Sequence, residues 1–399
     1  MEWKEDLLGN LIDALIDYRG KTPKKQSFGI PLITAKIIKN GSISEPTEFI
    51  SEDQYHLWMT RGFPVNGDVI LTTEAPLGEV AQLDFRKVAL AQRVVCFRGK
   101  KNIIDNTYLK YYFLSYYGQQ ALRARETGTT VTGIKQSELK KVIVKYPSFL
   151  FQRKIAGILS ALDAKIENNN KINANLEAQA EALFKSWFVD FTPFKDQPFV
   201  DSELGPIPQG WKVGKLGDYV EIKRGGSPRP IQKFLASQGL NWLKISDATS
   251  TQSPFIFNIK EKIIIDGLKK TVFLKAGSLV LSNSATPCIP KFLSIDSCIH
   301  DGWLYFPHSQ LPENYLYLFF KLMRNNLVSK ANGSVFLNLK TDIVKNQIFA
   351  FSGEEIYNSF DKIIAPLFKE IENLTYETFQ LSALRDTLLP KLMSGEIKL

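Results

Sequence analysis

Residues 155–187 read IAGILSALDAKIENNNKINANLEAQAEALFKSW, and this stretch decides the architecture. Its seam residues recur at alternating spacings of four and three, the heptad pattern of a helix that packs against another helix. The seam residues are Ile155, Leu159, Leu162, Ile166, Asn169, Asn173, Leu176, Ala180, Leu183 and Trp187. A second stretch has the same pattern, through Tyr357, Phe360, Ile364, Leu367, Ile371, Leu374, Thr378, Leu381, Arg385 and Leu388. Two long helices that pair as a coiled coil are therefore predicted.

Three features bear on how these helices pair. Asn169 and Asn173 are polar seam positions, which usually fix the register of a coiled coil. Pro366 does not fit comfortably inside a helix, so we expect a kink or a fresh helix start there. The first helix, about 38 residues long, would span about 57 Å, and the segment 192–210 could stretch at most about 65 Å. Antiparallel pairing needs little of that reach and is therefore expected, with a globule at each end of the helix pair.

The chain also repeats itself, which predicts two similar globules. Short segments of the first half recur in the same order in the second half. The pairs are 3–4 WK and 211–212 WK, 19–23 RGKTP and 224–228 RGGSP, 67–71 GDVIL and 277–281 GSLVL, 107–111 TYLKY and 314–318 NYLYL, and 128–131 GTTV and 333–335 GSV. Short β-rich runs between turns, with a helical stretch late in each half, indicate mixed α/β globules.

The fold class is therefore predicted to be α/β, with two mixed α/β domains that are each followed by a long helix, in a pseudo-two-fold arrangement. The predicted boundaries are 1–151 for the first domain, 152–190 for the first helix, 191–210 for a Pro-rich linker, 211–353 for the second domain and 354–399 for the second helix.

The positive charge is concentrated in the two domains. The chain of 399 residues has a net charge of +9, with +5 in residues 1–151 and +9 in residues 211–353. Residues 152–190 are neutral, residues 191–210 carry −2 and residues 354–399 carry −3. This distribution favours an anionic partner for the domains, with nucleic acid first, and a protein partner for the helices.

The composition is typical of a globular cytoplasmic protein. Hydrophobic residues make up 44% of the chain, enough to bury real cores. Cys96, Cys288 and Cys298 show no zinc-site spacing, so we expect reduced thiols. The N-terminus is charged and without an apolar signal region, and no apolar run approaches the roughly 20 residues of a membrane span.

Three long segments stand out, namely 176–191 in the first helix, LGPIPQGW at 204–211 and LRDTLLPKLMSGEI at 384–397. They resemble a known family, the specificity (S) subunits of type I restriction–modification enzymes. Residues 176–191, LEAQAEALFKSWFVDF, are similar to the central conserved region of that family. Residues 204–211, LGPIPQGW, look like the entry into its second target-recognition domain, and residues 384–397, LRDTLLPKLMSGEI, resemble its distal conserved region.

The resemblance implies a non-catalytic subunit that reads DNA sequence. Each target-recognition domain would bind one half of a bipartite site, and the paired helices would set the gap between the halves. The helices would also dock two methyltransferase (M) subunits, and translocase/nuclease (R) subunits would join that core. Adenine methylation is the expectation, with S-adenosylmethionine, ATP and Mg²⁺ bound by the partners and no cofactor on this chain.

A DNA reader needs cations for phosphates and forked polar groups for base edges. Loop residues of these types define the candidate interface, although each could be an ordinary solvated side chain. The candidates are Arg19, Lys21, Thr22, Gln92, Arg93, Thr129, Thr130 and Lys135 in the first domain, and Arg224, Ser227, Arg229, Asn283, His300, Ser334, Asn338 and Lys340 in the second.

Apolar residues on the helices are the candidates for partner docking. The set is Trp187, Phe188, Phe191, Leu388 and Leu392. For the three aromatic residues, packing inside the chain is the alternative interpretation.

Other functions have weaker sequence support. The segment RGKT at 19–22 resembles the end of a phosphate-binding loop, but that motif requires glycine where Leu15 stands. Asp201 with Glu221 and Lys223 could form a Mg²⁺-dependent nuclease site, so an autonomous site-specific endonuclease remains an alternative. A coiled-coil scaffold without a DNA role is another, although it gives no reason for the charge of the domains.

Overall fold

The computed structural model describes residues 2–18, 22–84, 86–128, 132–330 and 338–399. The chain divides into two compact units. The first unit comprises Met1–Lys165 and Leu381–Leu399, and the second comprises Ile166–Gln380.

The first unit begins with a mixed α/β domain. Its strands are β1 (Lys4–Leu7), β2 (Ile12–Asp17), β3 (Ile30–Ile33), β4 (Ile38–Lys39), β5 (Ser42–Ile43), β6 (Phe49–Ile50), β7 (Val69–Thr73), β8 (Leu77–Gln82), β9 (Ala89–Leu90), β10 (Val94–Gly99) and β11 (Ile143–Tyr146). Its helices are α1 (Leu8–Leu11), α2 (Glu52–Trp58), α3 (Asn106–Leu114), α4 (Tyr116–Arg123) and α5 (Gln136–Leu139), with a 3₁₀ turn at Ala35–Ile37.

The sheets of this domain surround two cores. The strand orders are β2-β10-β7-β8, β6-β3-β9, β1-β11 and β4-β5. Strand β7, VILTT, is buried along its whole length because the sheet is covered on both faces. One core places Phe97 and Tyr108 against the long helices, and the other packs Ile33 and Ile70 beneath the smaller sheet.

A long helix, α6 (Phe149–Phe188), follows β11 and passes from the first unit into the second. The second unit continues with strands β12 (Phe199–Val200), β13 (Ile207–Pro208), β14 (Lys212–Lys215), β15 (Lys223–Arg224), β16 (Leu235–Ala236), β17 (Leu240–Leu243), β18 (Phe255–Ile256), β19 (Glu261–Ile263), β20 (Val272–Leu274), β21 (Leu279–Ser282), β22 (Pro290–Leu293), β23 (Ser297–Ile299), β24 (Trp303–Tyr305) and β25 (Ile348–Phe351).

The remaining helices of the second unit are α7 (Leu216–Tyr219), α8 (Ile245–Thr249), α9 (Glu313–Ser329) and α10 (Thr341–Lys345), with 3₁₀ turns at Thr192–Phe194, Ile231–Lys233 and Ile265–Lys270. The last helix, α11 (Glu354–Ser394), returns into the first unit. The strand orders are β15-β24-β21-β22-β18, β16-β19-β17-β23-β20, β14-β25 and β12-β13. Helix α9 and the paired long helices close over the largest core of this unit, which contains Tyr315, Phe320 and Phe360.

The antiparallel pairing of α6 and α11 is confirmed within each unit. In the first unit, Ile155 and Leu159 near the start of α6 share a core with Leu392 near the end of α11. In the second unit, Phe184 near the end of α6 shares a core with Tyr357 and Phe360 near the start of α11. Every predicted seam residue is buried or half-buried, so the heptad pattern identified the contact face correctly.

Polar groups mark the seam in both units. In the second, Asn169 is fully buried, and its amide donates a hydrogen bond to Glu377 at 2.7 Å. In the first, the guanidinium of Arg385 binds the carboxylate of Asp163 at 2.9 Å. Burial would raise the pKa of Asp163, but the hydrogen bond from Tyr111 and the nearby cations lower it overall. These specific contacts help to select one register.

The structure refines two expectations about the helical regions. Helix α11 runs through Pro366 as one element, so no fresh helix starts there, and the alternative, a kink, stays a prediction. The Pro-rich segment 191–210 is more than a spacer, because it forms the antiparallel pair β12–β13. Phe194 and Ile207 from this segment are buried in a small core with Trp211 and Ala350.

The sequence duplication corresponds to a structural one. Strand β1 pairs with β11 as β14 pairs with β25, and the amides of Leu8 and Leu216 both bond to the partner segment at 2.8 Å. Gly67 and Gly277 both have positive φ before the central strand of their sheet. The predicted α/β class with two similar domains is therefore confirmed.

Candidate nucleic-acid interface

In the first domain, the candidate site is built on the turn between β9 and β10. The backbone amide of Thr73 donates to the carbonyl of Arg93 at 2.9 Å, which fixes this turn against the end of β7. The guanidinium of Arg93 forms an ion pair with Glu74 at 2.9 Å. Thr22 donates its hydroxyl hydrogen to Gln92 at 3.3 Å. We call Thr22, Glu74, Gln92 and Arg93 the Glu74 cluster.

In the second domain, the candidate site is organised around one carboxylate. Ser227 donates its hydroxyl hydrogen to the side chain of Asp301, and Arg229 binds the other carboxylate oxygen at 3.1 Å. Arg224 donates to the backbone carbonyl of Asp301, and the amide of Asn283 approaches the same carbonyl at 3.4 Å. We call these five residues the Asp301 cluster.

The hydrogen bond and the cations in the Asp301 cluster stabilise the charged form of Asp301. The pKa of Asp301 lies below its usual value, first because Ser227 donates a hydrogen bond to it and then because Arg229 and Arg224 are near. The side chain of Arg229 is 77% exposed although it is held at one end by Asp301. The arrangement therefore presents guanidinium groups that are accessible yet partly oriented.

The two clusters occupy equivalent positions in their domains. The amide of Asn283 donates to the carbonyl of Gly302 at 2.9 Å, as that of Thr73 donates to Arg93. The carbonyls of Thr73 and Asn283 accept in turn from Ile134 at 2.9 Å and from Leu339 at 2.7 Å. This register aligns Gln92 with Asp301 and Glu74 with Ser284.

Two predicted lysines also fall at equivalent positions. Lys135 and Lys340 directly follow Ile134 and Leu339, and each immediately precedes a short helix. Both are exposed. Asn338 forms a backbone bridge with Ser284, as Gly133 does with Glu74. Lys135, Asn338 and Lys340 therefore lie in segments whose backbone pairs with the turns of the clusters. The described contacts do not join their side chains to the cluster residues.

His300 lies beside the Asp301 cluster at the edge of an open groove. Its Nδ1 accepts a hydrogen bond from the amide of Gly302 at 2.8 Å, and burial lowers its pKa below the usual value. The groove has a volume of about 880 Å³, and Arg229, Trp242 and Lys244 help to line it.

Five of the predicted DNA-binding residues lie outside the described residues. They are Arg19, Lys21, Thr129, Thr130 and Ser334. Their roles stay predictions.

The predicted docking residues on the helices have partners within the chain. The ring of Phe188 stacks on Tyr357 with centroids 5.5 Å apart, Trp187 approaches Phe360 at 5.5 Å, and Phe191 approaches Trp211 at 5.3 Å. Packing, the alternative interpretation, accounts for these contacts, and docking by the exposed parts of the three rings stays a prediction.

The two leucines of the docking set differ in their exposure. Leu392 is only 2% exposed because it belongs to the core of the first unit, so its expected surface role is corrected. Leu388 is half-buried against the same core. Its docking role stays a prediction.

The sequence interpretation missed two acidic residues that organise the clusters. Asp301 lies in the stretch HDGW at 300–303, of which only His300 was selected. Glu74 follows β7 directly and had no distinguishing motif. An alignment of the two halves on strands β7 and β21 would have drawn attention to the turn that holds Glu74, because Ala75 and Ala285 then coincide. Both of these alanines have positive φ in the structure.

Within the ranges given above, no group of three or more His, Cys, Asp or Glu side chains could hold a metal ion. In the same part of the chain, no helix combines the length and apolar character needed to cross a bilayer.

Two similar α/β domains, paired helices and an equivalent polar cluster in each domain define a duplicated two-domain protein. The sequence profile of the type I restriction modification DNA specificity domain matches residues 2–178 and 208–380. The chain therefore belongs to this family, the specificity subunits of type I restriction–modification enzymes, which recognise DNA and are not catalytic.

Individual relatives agree with this assignment. The type I restriction enzyme MjaIX specificity subunit of Methanocaldococcus jannaschii is 31% identical over 404 residues, covering 95% of this chain and 90% of the relative. The HindI specificity subunit of Haemophilus influenzae is 25% identical over 337 residues, covering 69% of this chain and 73% of the relative. The crystal structure of the type I S subunit from M. genitalium shares the fold, with a TM-score of 0.63, 15% identity and coverage of 98% and 96%.

Proposed function

We propose that each domain reads one half of a bipartite DNA site, with the Glu74 cluster and the Asp301 cluster at the centres of the two reading surfaces. The observation that carries this proposal is the equivalence of the clusters. Each is placed by the same backbone hydrogen bonds at the same turn, yet the side chains differ. A duplicated frame with different reading groups suits a site with two different halves.

The cluster chemistry fits the edges of base pairs in the major groove. Arginine pairs with the O6 and N7 atoms of guanine, glutamine and asparagine pair with adenine, and carboxylates accept from the amino group of cytosine. Asp301 limits the orientations of Arg224 and Arg229 before DNA arrives, which reduces the entropy that binding must offset. Lys135 and Lys340 would contact phosphates, which position the protein without specifying sequence.

We extend the proposal to the assembly. The paired helices would dock two methyltransferase subunits, and restriction subunits would join that core. S-adenosylmethionine, ATP and Mg²⁺ would bind to those partners. The charge pattern supports this division, because residues 354–399 carry −3 whereas the second domain carries +9.

The test is co-expression with the cognate methyltransferase subunit, followed by methylome sequencing of the host DNA. The expected result is one bipartite motif with a fixed gap. Exchange of residues 1–150 for those of a relative should change one half of the motif and preserve the other. If both halves change together, the assignment of one half-site to each domain is wrong.

A nuclease assay tests the principal alternative, in which the chain is an autonomous site-specific endonuclease. The purified chain is incubated with DNA and Mg²⁺ without partner subunits, and no cleavage is expected. Cleavage that is lost in Glu221→Gln would support the endonuclease hypothesis instead. In the structure, Glu221 binds Lys223 at 2.8 Å.

A further inference from the structure

The two domains contain equivalent segments, each a strand followed by a helical turn, whose net charges have opposite sign. Strand β6 is followed after one residue by α2, and β19 is followed after one residue by the 3₁₀ turn Ile265–Lys270. The backbones of the two segments match closely, because each strand is approached by a glycine that leaves no room for a side chain. A Cβ atom at Gly29 would lie 2.3 Å from the carbonyl oxygen of Ile50, and one at Gly239 would lie 2.3 Å from that of Ile263. Residues 48–58 contain three acidic residues and no Lys or Arg, whereas residues 260–270 contain four lysines and two acidic residues.

The ion pairs increase the difference in charge between the two segments. In the first domain, Glu48 binds Lys25 at 2.8 Å and Glu52 binds Lys87, so the carboxylates neutralise neighbouring lysines. In the second domain, Lys233, Lys269 and Lys270 are exposed, and none of them has a carboxylate partner within the described part of the chain. We call these three residues the basic strip.

The basic strip is built against the loop that carries the Asp301 cluster. A Cβ atom at Gly226, next to Ser227, would lie 3.0 Å from the carbonyl of Lys270. The amide of Gly226 and the hydroxyl of Thr271 both donate to the carbonyl of Ile299, at 3.2 and 2.9 Å. The strip and the cluster are therefore parts of one surface.

Contacts within the basic strip hold its two 3₁₀ turns together. The ammonium of Lys270 lies 5.4 Å from the ring centre of Phe234, the residue that follows Lys233. The amide of Ile264 donates to the carbonyl of Phe234 at 2.9 Å, which ties the two 3₁₀ turns together. The three ammonium groups thus come from two turns that are fixed to each other.

We infer that the basic strip binds backbone phosphates of the DNA beside the half-site read by the second domain, and that the first domain has no equivalent contact in this segment. The inference rests on the proposed function and deepens it. Lysine is a point charge that suits phosphate, and each neutralised phosphate releases about 0.9 counterions. The second domain would then supply more of the salt-dependent DNA affinity than the first domain. This contribution would not depend on the DNA sequence.

The experiment measures DNA affinity as a function of NaCl concentration, with the full chain in complex with its methyltransferase subunit. Two duplexes of equal length are used. One contains the bipartite motif identified by methylome sequencing, and the other lacks it. For Lys269→Gln/Lys270→Gln, the slope of log K against log salt should become shallower by about 2. Affinity for both duplexes should fall by the same factor, and the methylated motif should stay unchanged.

A matched control removes two lysines elsewhere in the same unit. Lys212 and Lys215 lie on β14, which pairs with β25 and with no strand of the Asp301 cluster, and both are exposed. Lys212→Gln/Lys215→Gln should leave the slope unchanged. Because all four lysines are exposed, neither double variant should alter folding, and thermal unfolding checks this.

The outcomes separate the two proposals. An unchanged slope for Lys269→Gln/Lys270→Gln, in a complex that still methylates a bipartite motif, overturns the basic strip and leaves the proposed function standing. Loss of co-purification with the methyltransferase in Lys269→Gln/Lys270→Gln also overturns it, because the strip would then bind protein. If the wild-type complex binds neither duplex, both proposals are wrong.

Discussion

The two reading surfaces share a backbone frame and differ in chemistry. In the first domain, one guanidinium faces one carboxylate, and Arg93 and Glu74 are both substantially exposed. In the second, the single carboxylate of Asp301 is contacted by Ser227 and Arg229, while Arg224 binds its backbone carbonyl. The difference teaches that the duplicated frame fixes where reading groups are placed, and that the side chains at equivalent positions set what each surface can contact.

The same comparison applies to the surroundings of the clusters. Carboxylates of the first domain neutralise Lys25 and Lys87, whereas the basic strip of the second has no such partners in the described ranges. Asp301→Ala and Glu74→Gln test these differences directly, and Asp163→Asn and His300→Gln test the structure around the clusters. The four are given in order of decreasing expected effect.

Asp301→Ala removes the group that holds Ser227 and Arg229. Affinity for the cognate duplex should fall by about 10- to 100-fold, the range for loss of one well-formed base contact of about 1–3 kcal/mol. Titration of labelled duplex with the complex measures the change. Asp296→Ala is the control, because Asp296 binds Lys275 in the same domain but touches no cluster residue. Equal losses in both variants would show that Asp301 has no special role.

Asp163→Asn tests the helix pair in the first unit. Asp163 accepts from Tyr111 at 2.6 Å and binds Arg385 at 2.9 Å. The free energy of unfolding should fall by about 1–2 kcal/mol, because a hydrogen-bonded charge is lost from a partly buried site. Urea denaturation measures it. Glu167→Gln, which removes an exposed pair with Lys171, should change stability by less than about 0.5 kcal/mol. A larger effect of the control would contradict the account of the seam.

Glu74→Gln weakens the ion pair between Arg93 and Glu74, the one ion pair within the Glu74 cluster. The loss of cognate affinity should be smaller than for Asp301→Ala, about 3- to 10-fold, because only one exposed guanidinium loses its partner. The same duplex titration applies, with Glu79→Gln as a control on the neighbouring strand. A loss that exceeds the effect of Asp301→Ala would reverse the ranking of the two clusters.

His300 is expected to give the stability of the second domain a weak dependence on pH. Burial lowers its folded pKa below the usual 6.5, so the unfolded chain takes up a proton first as the pH falls. The stability that neutral His300 contributes is present above pH 6.5 and is lost as the pH falls through the folded pKa. His300→Gln should therefore show a smaller decrease in melting temperature between pH 7.5 and pH 5.5. Equal decreases would exclude His300 as the source.

The sequence predicted the long-range organisation well. The heptads located both contact faces, since hydrophobic spacing directly reflects which side of a helix is buried. The duplication predicted two α/β domains, and the two RG-x-S/T-P segments pointed to the loop that contributes Arg224, Ser227 and Arg229 in the second domain.

The sites were harder to predict because they depend on contacts between distant segments. Asp301 meets Ser227 across 74 residues and Arg229 across 72, and no local spacing encodes such a meeting. The burial of Leu392 arises from the core that it shares with the first domain, so the helix pattern alone could not reveal it. The packing of Phe194 and Ile207 from the Pro-rich linker 191–210 against apolar neighbours in the second unit is likewise a contact that proline content does not reveal.

The central claim is that the two clusters read separate halves of one site, and paired methylomes test it most directly. Hosts that express the methyltransferase subunit with wild type, Glu74→Gln or Asp301→Asn are compared by methylome sequencing. The account predicts that Glu74→Gln relaxes base preference in one half of the motif and Asp301→Asn in the other, with the gap unchanged. Relaxation of the same half by both variants, or of neither half by either, would contradict it.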